Sequence, residues 1–276
     1  MEQFLAAGRC FPLCKTYVMG ILNVTPDSFS DGGLYFDPAA AVRRAKEMEA
    51  EGVDIVDIGG QSTRPGSTRI PPEEEWSRIE AVVRAVAAET RLAVSIDTFY
   101  PQVAEKALRA GAHIINDVTG FSTEMWRAVQ NVDCGCIVMH PGDPDNLAGS
   151  GGNILEAVRG FFEQKAEEAK RWGVARERLC FDPGIGFGKT NEENLALIAN
   201  PDKLRVPGTA LLMAVSRKRV IGAACGNPPF ERRMAGTLAA HTASILWGAD
   251  MVRAHDTFEA VQAARMANAL KPYRKD

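Results

Sequence analysis

The sequence predicts an α/β protein in which eight parallel strands close into a barrel, the (β/α)8 or TIM-barrel architecture. Three observations lead to this fold class. Short apolar runs alternate with segments of helical periodicity along the chain, which is typical of a parallel sheet. Eight strand–helix pairs in 276 residues is the usual size of an eight-unit barrel. A weak repeat also places a helix-ending glycine five residues before a polar residue, in segments 52–57, 111–116 and 248–253.

Proline and glycine mark the helix ends in the first half of the chain. The apolar run 18–22 is the first strand, and it ends at Asn23 before a long polar, Gly- and Pro-rich loop. A helix begins near Pro38 and stops at Gly52, a first-turn proline and a C-terminal glycine. The other elements follow in order: strand 53–58, a second glycine-rich loop at 59–66, a helix from residue 72, strand 92–96, helix 101–110 and strand 112–115.

The second half repeats this alternation. Asn153 with Glu156 resembles a capping pair, and apolar residues at helical spacing predict a long amphipathic helix after it. The segment 141–153 before that helix is the most turn-like in the protein. The remaining elements are helix 123–131, strand 134–139, strand 179–181, helix 191–199, strand 210–215, helix 233–247, strand 250–252 and helix 257–270.

The alternative architecture is an open, doubly wound sheet, which normally carries a nucleotide-binding fingerprint after its first strand. The residues after the first strand, Asn23-Val-Thr-Pro, are not such a fingerprint. We therefore expect residues 1–276 to form one barrel domain, with residues 1–15 as an N-terminal extension.

Composition excludes several classes of function. With 32 basic and 35 acidic residues and no basic block, nucleic acid is not an expected partner. The N-terminus lacks the pattern of a signal peptide, and no apolar stretch is long enough for a membrane span. The six cysteines form no Cys-x-x-Cys pair, so we expect reduced thiols in a cytoplasmic protein.

Polar residues end most of the predicted strands. Because side chains alternate between the interior and the helix layer, the apolar residues Val94 and Ile96 place Ser95 and Asp97 inside the barrel. The same alternation turns four further polar residues inward: Asp57, Asn116, Asp182 and Arg253. Since barrel enzymes bind their substrates at the carboxyl ends of the strands, this cluster predicts a binding site for a polar ligand.

The residue types indicate what the ligand is. Asp182 and Asn116 can accept and donate in-plane hydrogen bonds to the edge of a flat heterocycle, and Arg253 can stack on its face. Arg64 and His255 offer positive charge for a phosphate. A heterocycle with a phosphate at its other end would use all of these groups.

Two segments resemble functional motifs, a P-loop and a Schiff-base lysine, but neither meets the requirements of its motif. Gly188-Lys189-Thr190 looks like the end of a P-loop, but Pro183 stands where the first glycine is required. Lys218 could form a Schiff base; it lies beyond the strand end, so a lysine that binds an anion or donates to a ring carbonyl or nitrogen is favoured.

Taken together, the strand ends and loops are similar to those of a known family. The chain resembles the dihydropteroate synthases, which are pterin-binding enzymes, from about residue 16 to residue 270. Seven blocks in the right order carry the resemblance: MGILNVTPDSFSDGG (19–33), DIGGQSTRPG (57–66), SIDT (95–98), IIND (114–117), FDPGIGFGK (181–189), SRK (216–218) and VRAHD (252–256).

The resemblance implies a transferase of folate biosynthesis and a sulfonamide target. Such an enzyme joins p-aminobenzoate to 6-hydroxymethyl-7,8-dihydropterin diphosphate, giving 7,8-dihydropteroate and pyrophosphate, with Mg²⁺ as cofactor. It also implies a homodimer that uses the last two or three helices. The polypeptide loop at 25–33, with Phe29, is then expected to be a lid that orders when the diphosphate binds.

The resemblance assigns roles residue by residue. Those expected at the pterin are Asp97, Asn116, Asp182 and Lys218 on its edge and Arg253 on its face. Those expected around the diphosphate are Thr63, Arg64, Arg253 and His255, with Asn23 as the Mg²⁺ ligand. Those expected in the p-aminobenzoate pocket are Phe29, Thr63, Pro65, Ser216 and Lys218. The catalytic set is Asn23, Arg64, Lys218, Arg253 and His255.

The sequence departs from the family pattern at two places, Ala214 in place of glycine and the loop that follows His140. Three alternatives remain open. A methyltetrahydrofolate-dependent methyltransferase would share the acidic cluster but would not need Arg64, Lys218 and His255. A non-catalytic pterin-binding protein would not need Asn23. An aldolase would use Lys218 as a Schiff base.

Overall fold

The computed structural model describes residues 2–25, 38–62, 68–142 and 152–274. Two short antiparallel strands, β1 (Gln3–Ala6) and β2 (Arg9–Pro12), come first. The strands that follow form a closed parallel barrel: β3 (Tyr17–Asn23), β4 (Ile55–Gly59), β5 (Ala93–Asp97), β6 (Ile114–Asp117), β7 (Gly135–Met139), β8 (Leu179–Asp182), β9 (Ala210–Met213) and β10 (Met251–Ala254). The predicted (β/α)8 barrel is therefore confirmed.

Helices connect the strands on the outside of the barrel. They are α1 (Pro38–Glu51), α2 (Pro72–Glu89), α3 (Pro101–Arg109), α4 (Thr123–Val129), α5 (Ile154–Arg171), α6 (Asn191–Ala199), α7 (Arg219–Ala224), α8 (Met234–Leu246) and α9 (Thr257–Leu270). Short 3-10 turns occur at Arg176–Arg178, Pro201–Leu204, Phe230–Arg232 and Lys271–Tyr273. Among the described residues, no helix is long and apolar enough to span a membrane.

Most predicted elements agree with the structure to within two residues, and two differences matter for the site. The strand predicted for 210–215 ends at Met213, the last residue of β9 that pairs with β10. The chain then turns at Arg217, whose φ is 55°. The short helix α7 then precedes α8, whereas the sequence predicted one helix in this unit.

The strands are in register, so that their ends meet at one level. Asn23 pairs with Gly59, Gly59 with Asp97, and Asp97 with Asn116 across four neighbouring strands. β10 pairs with β3 and closes the ring. The carboxyl ends therefore form a single mouth.

Two separate apolar cores fix the direction of each strand side chain. Outward residues such as Val94, Ile96 and Ile115 pack against the helices, in the larger core. Inward residues such as Met19, Ile55 and Ile137 belong to the smaller core, inside the barrel. The alternation predicted from the sequence is therefore confirmed.

The N-terminal hairpin closes the other end of the barrel. Phe4 and Phe11 are buried in the inner core, and the Phe11 ring meets the Tyr17 ring edge-on, with 5.1 Å between centroids. Gly135 makes room for this plug, since a Cβ there would lie only 2.5 Å from Phe4 Cζ. A ligand can thus reach the interior from the carboxyl end, where the polar side chains are.

Candidate active site

A cavity of about 570 Å³ opens at the carboxyl mouth of the barrel. Eight of the site residues predicted from the sequence line it together: Asn23, Asp97, Asn116, Asp182, Ser216, Lys218, Arg253 and His255. The other four predicted residues, Phe29, Thr63, Arg64 and Pro65, lie outside the described residues, as does the proposed lid apart from Thr25. The mouth thus brings every described candidate to one place.

Asp57 organises the floor of this cavity. Its carboxylate is fully buried and accepts hydrogen bonds from Ser95 Oγ at 2.7 Å, Asn116 Nδ2 at 3.0 Å and Arg253 Nε at 2.6 Å. Arg253 also donates to Asp97 Oδ2 at 3.0 Å. A buried carboxylate accepts only, so Asp57 fixes the orientation of the Asn116 amide and of the Arg253 guanidinium.

Arg253 sits at the edge of the floor. Its side chain is 18% exposed, while Asp57 and Asp97, its ion-pair partners, are 0% and 6% exposed. These two ion pairs offset the free-energy cost of burying the Arg253 guanidinium charge. The guanidinium is therefore held in place before any ligand arrives.

The floor carboxylates have perturbed acidities. Burial raises the pKa of Asp97 to about 7, with Asp57 adding to the rise and Arg253 opposing it. Burial also raises the pKa of Asp182, against the Lys218 ammonium and a hydrogen bond from Gly184 N. Among the described groups, Asp97 Oδ1 has no hydrogen-bond partner although it is buried. Since Asp97 also lines the cavity, this oxygen is available to accept a hydrogen bond there.

Lys218 forms one wall of the cavity. Its Nζ donates to Ile185 O at 2.6 Å and lies 5.0 Å from the centroid of the Phe187 ring. Burial lowers its pKa to about 8, and Asp182 opposes the shift. The ammonium is therefore still mostly charged at neutral pH.

The turn before Lys218 is held in its unusual conformation from two sides. Arg217 Nε donates to Asp256 Oδ2 at 2.9 Å, and the guanidinium makes a second contact with the other oxygen of that carboxylate. The Arg217 backbone N–H donates to Thr237 Oγ1 at 2.9 Å. This bracing lets Ser216 and Lys218, on either side of Arg217, both face the cavity.

Ser216 and His255 form a pair. Ser216 Oγ lies 2.9 Å from His255 Nδ1 and accepts from the His255 backbone N–H at 3.1 Å. The Phe230 ring meets the imidazole edge-on, with 5.5 Å between centroids. The chain beyond β9 is thereby joined to the end of the neighbouring strand β10.

Positive charge is concentrated at the rim. The basic residues that line the described part of the cavity are Arg217, Lys218, Arg219, Arg233, Arg253 and His255. With carboxylates on the floor and cations at the rim, the cavity suits a ligand that donates hydrogen bonds at one end and carries negative charge at the other.

Sequence reasoning missed several residues that line the cavity or support it. Asp57 was placed inside by strand alternation but was not assigned a role. Phe187 lies within the glycine-rich segment 183–188, and its aromatic side chain is the sequence feature that could have marked it as part of the cavity wall. Phe230 and Arg233 follow α7, far from a strand end, so no pattern marked them. Gln61, which donates to the buried Glu75 at 2.8 Å, anchors the start of the second loop.

No group of three or more His, Cys, Asp or Glu side chains in the described part of the chain could hold a metal. Asn23, the residue that we expect to bind Mg²⁺, lies at the end of β3 and lines the cavity. A Cβ on Gly59 would lie 3.8 Å from Asn23 Oδ1 and 3.5 Å from Asp97 Cβ. Glycine therefore leaves open the space between these two side chains.

Comparison with known proteins places this site in a family. The family model described as "Pterin binding enzyme" matches residues 19–255. Dihydropteroate synthase of Clostridium beijerinckii is 41% identical over 259 residues, covering 93% of this chain and 94% of that protein. Dihydropteroate synthase of Escherichia coli is 36% identical over 271 residues, covering 97% and 96%.

Solved structures agree with the sequence relatives. Xanthomonas albilineans dihydropteroate synthase with 4-aminobenzoic acid superposes with a TM-score of 0.91, at 39% identity and 98% coverage of both chains. Yersinia pestis dihydropteroate synthase with a sulfonamide drug gives a TM-score of 0.90 at 32% identity, covering 99% of this chain and 100% of that one. The chain therefore belongs to the pterin-binding enzyme family and, within it, to the dihydropteroate synthases, transferases of folate biosynthesis.

Proposed function

We propose that this cavity joins 6-hydroxymethyl-7,8-dihydropterin diphosphate to p-aminobenzoate, giving 7,8-dihydropteroate and pyrophosphate. One observation carries the assignment: a floor of hydrogen-bonding groups lies beneath a rim of cations within a single cavity of about 570 Å³. That volume is in the range of sites that bind small molecules. A related structure from Xanthomonas albilineans contains 7,8-dihydropteroate.

The pterin ring would lie on the floor. Its N–H groups would donate to Asp182 and to the unpartnered Oδ1 of Asp97. Because Asn116 gives one N–H to Asp57, its carbonyl oxygen and second N–H remain for the ring edge. Arg253, fixed by two carboxylates, is then available to contact the ring face.

The diphosphate would face the rim. Arg253 and His255 supply positive charge there, and we propose that Thr63 and Arg64 of the second loop join them. Mg²⁺ takes few protein ligands when phosphate oxygens and water complete its shell, so the Asn23 amide oxygen fits as its protein donor. When bound, the ion would neutralise charge on the leaving pyrophosphate.

The p-aminobenzoate would bind between the two loops and the β9 end. Ser216 and Lys218 line this side of the cavity, and the Phe187 ring lies beside the Lys218 ammonium. We propose that Phe29, Thr63 and Pro65 complete this pocket together with Ser216 and Lys218.

The proposed reaction needs little general acid–base catalysis. The aromatic amine is already a nucleophile, and the barrier is departure of pyrophosphate from a methylene carbon. Cations at the rim would stabilise that departing charge, while the rigid floor would align the methylene carbon with the amine. We assign these two effects as the main sources of catalysis.

We further propose that residues 1–276 act as one domain, in the cytoplasm, and as a homodimer. Large apolar side chains are exposed at the end of the chain, among them Trp247 at 43%, Phe258 at 53% and Met266 at 58%. They lie directly after α8 and on α9, two helices that pack against each other, and exposed apolar groups on adjacent helices are what a protein interface would cover. Sedimentation equilibrium would show the dimer as twice the mass of the chain, and a monomer at micromolar concentration would contradict it.

Pyrophosphate release tests the proposed reaction. Purified protein with Mg²⁺ should release pyrophosphate only when the pterin diphosphate and p-aminobenzoate are both present, and chelation of the metal should abolish release. Omission of either substrate is the control. Folded protein that releases no pyrophosphate above background with both substrates present would refute the assignment.

A further inference from the structure

Lys189 is a half-buried lysine that the proposed reaction does not use. It follows the loop 183–188 after β8 and was the residue that resembled a P-loop lysine. In the structure its Nζ donates to three backbone carbonyls, those of His140 at 3.3 Å, Gly184 at 3.0 Å and Phe187 at 3.0 Å. An ammonium has three N–H donors, so all three are used by the protein and none is left for a phosphate.

The three carbonyls come from two loops that are in close backbone contact. Gly184 has a φ of 67°, and a Cβ there would lie 2.0 Å from His140 O. Gly142 has a φ of 72°, and a Cβ there would lie 2.2 Å from Phe187 O. Carbonyl oxygens that converge in this way repel one another. A half-buried cation at their centre turns that repulsion into three charge-assisted hydrogen bonds.

The loop held by Lys189 carries groups of the cavity wall. Gly186 and Phe187 line the cavity, and Ile185 O accepts the hydrogen bond from Lys218 Nζ at 2.6 Å. A shift of this loop would therefore move both the wall and the acceptor of Lys218.

Lys189 also acts on Asp182 through its charge. Burial raises the pKa of Asp182, and the nearby Lys218 and Lys189 ammonium groups oppose that rise. Burial lowers the pKa of Lys189 itself to about 8, with Asp182 opposing the shift. Lys189 is thus charged at neutral pH and favours the ionised form of Asp182.

We propose that Lys189 is a positioning residue for the pterin site: without touching the ligand, it holds the loop 183–188 against the end of β7. This rests on the proposed function for the identity of the ligand. The geometric part of the proposal, that Lys189 holds the loop, concerns the free protein.

The test compares Lys189→Met with a matched control, Lys165→Met. Lys165 is also a half-buried lysine whose Nζ donates to a backbone carbonyl, that of Phe121 at 3.1 Å, but it lies outside the cavity. Calorimetry with 6-hydroxymethyl-7,8-dihydropterin gives the affinity of each protein. Hydrogen exchange of the backbone amides at 184–188, without ligand, reports the loop.

Lys189→Met should weaken pterin binding by about tenfold to a hundredfold, the loss that corresponds to one hydrogen bond to a charged group. Exchange at 184–188 should become faster in this variant alone, and Lys165→Met should match wild type in both measurements. If Lys189→Met does not fold, Lys189→Gln, which keeps two N–H donors without the charge, should show smaller changes in the same directions.

Two results have different meanings. If wild type binds the pterin and a folded Lys189 variant binds it as tightly, with unchanged exchange at 184–188, the positioning role is wrong. If wild type does not bind the pterin, the proposed function fails, and the exchange measurement still decides whether Lys189 holds the loop.

Discussion

Asp57 offers the sharpest test of how the cavity floor works. The substitution Asp57→Asn changes one oxygen to an NH2 group and leaves the size of the side chain almost unchanged. The NH2 can face Ser95 Oγ, because the serine hydroxyl can turn and accept where it donated at 2.7 Å. The remaining oxygen can still accept from Asn116 and Arg253. The variant therefore removes the charge and keeps the hydrogen bonds.

The magnitude follows from that difference. A hydrogen bond to a charged group contributes about 1.5–3 kcal/mol and a neutral one about 1 kcal/mol, so the free energy of unfolding should fall by about 0.5–2 kcal/mol for each hydrogen bond that becomes neutral. Outright loss of a buried ion-pair partner costs about 3–5 kcal/mol. The smaller value applies because Arg253 keeps its second carboxylate, Asp97.

The same change should alter the acidity of Asp97. Burial is the main cause of its raised pKa of about 7, and the negative charge of Asp57 adds to it. Without that charge, and with Arg253 pairing with Asp97 alone, the pKa of Asp97 should fall. If the pterin binds the ionised carboxylate, the pH at which binding is half-maximal should then fall as well.

Calorimetry with 6-hydroxymethyl-7,8-dihydropterin over a pH series measures that midpoint, and urea unfolding measures stability. Asp54→Asn is the matched control. Asp54 accepts from Val18 N at 2.9 Å at the opposite end of the barrel, so its loss should change stability but leave the midpoint in place. An Asp57→Asn midpoint equal to that of wild type would refute the charge coupling between Asp57 and Asp97.

Two further predictions concern pH and backbone geometry. Pterin binding to wild type should tighten as pH rises through about 7, as Asp97 (pKa about 7) ionises, and weaken above about 8, as Lys218 (pKa about 8) loses its proton; a flat calorimetric pH profile would contradict this. Gly184→Ala should abolish pterin binding, because its Cβ would lie 2.0 Å from His140 O. Gly160→Ala is the control, since Gly160 lies on α5 with open space around it. This variant should leave binding intact and raise the free energy of urea unfolding by up to about 1 kcal/mol.

Much of the floor could be predicted from the sequence because strand alternation is a local property. Val94 and Ile96 face the helices, so Asp97 must face inward, and no knowledge of the other strands is needed. Parallel strands then bring Asp97 and Asn116 to one level. The position of Asp57 between these groups and Arg253 could not be predicted in this way, because it depends on the pairing of β10 with β3 that closes the barrel.

The parts that the sequence did not predict depend on contacts between distant segments. The hairpin β1–β2 is too short to show a strand pattern, and Phe4 acquires its role only where Gly135 leaves space in the barrel. Phe230 lies beyond a helix of six residues and reaches the site by packing on His255. Such positions are set by tertiary packing, which outweighs local preference.

The balance of charge in the cavity explains why its two ends have different tasks. The buried carboxylates Asp57, Asp97 and Asp182 are matched at the floor by the cations Arg253, Lys218 and Lys189, through ion pairs or through opposing effects on pKa. Because these charges balance one another, a neutral pterin ring can bind on the floor without leaving a buried charge unpaired. Apart from Arg253 at its edge, the floor offers a diphosphate little positive charge, so most of the diphosphate's negative charge must be neutralised at the rim. Other basic residues line the same cavity, among them Arg219 and His255, which assigns ring recognition to the floor and leaving-group stabilisation to the rim, with Mg²⁺ as the proposed additional charge.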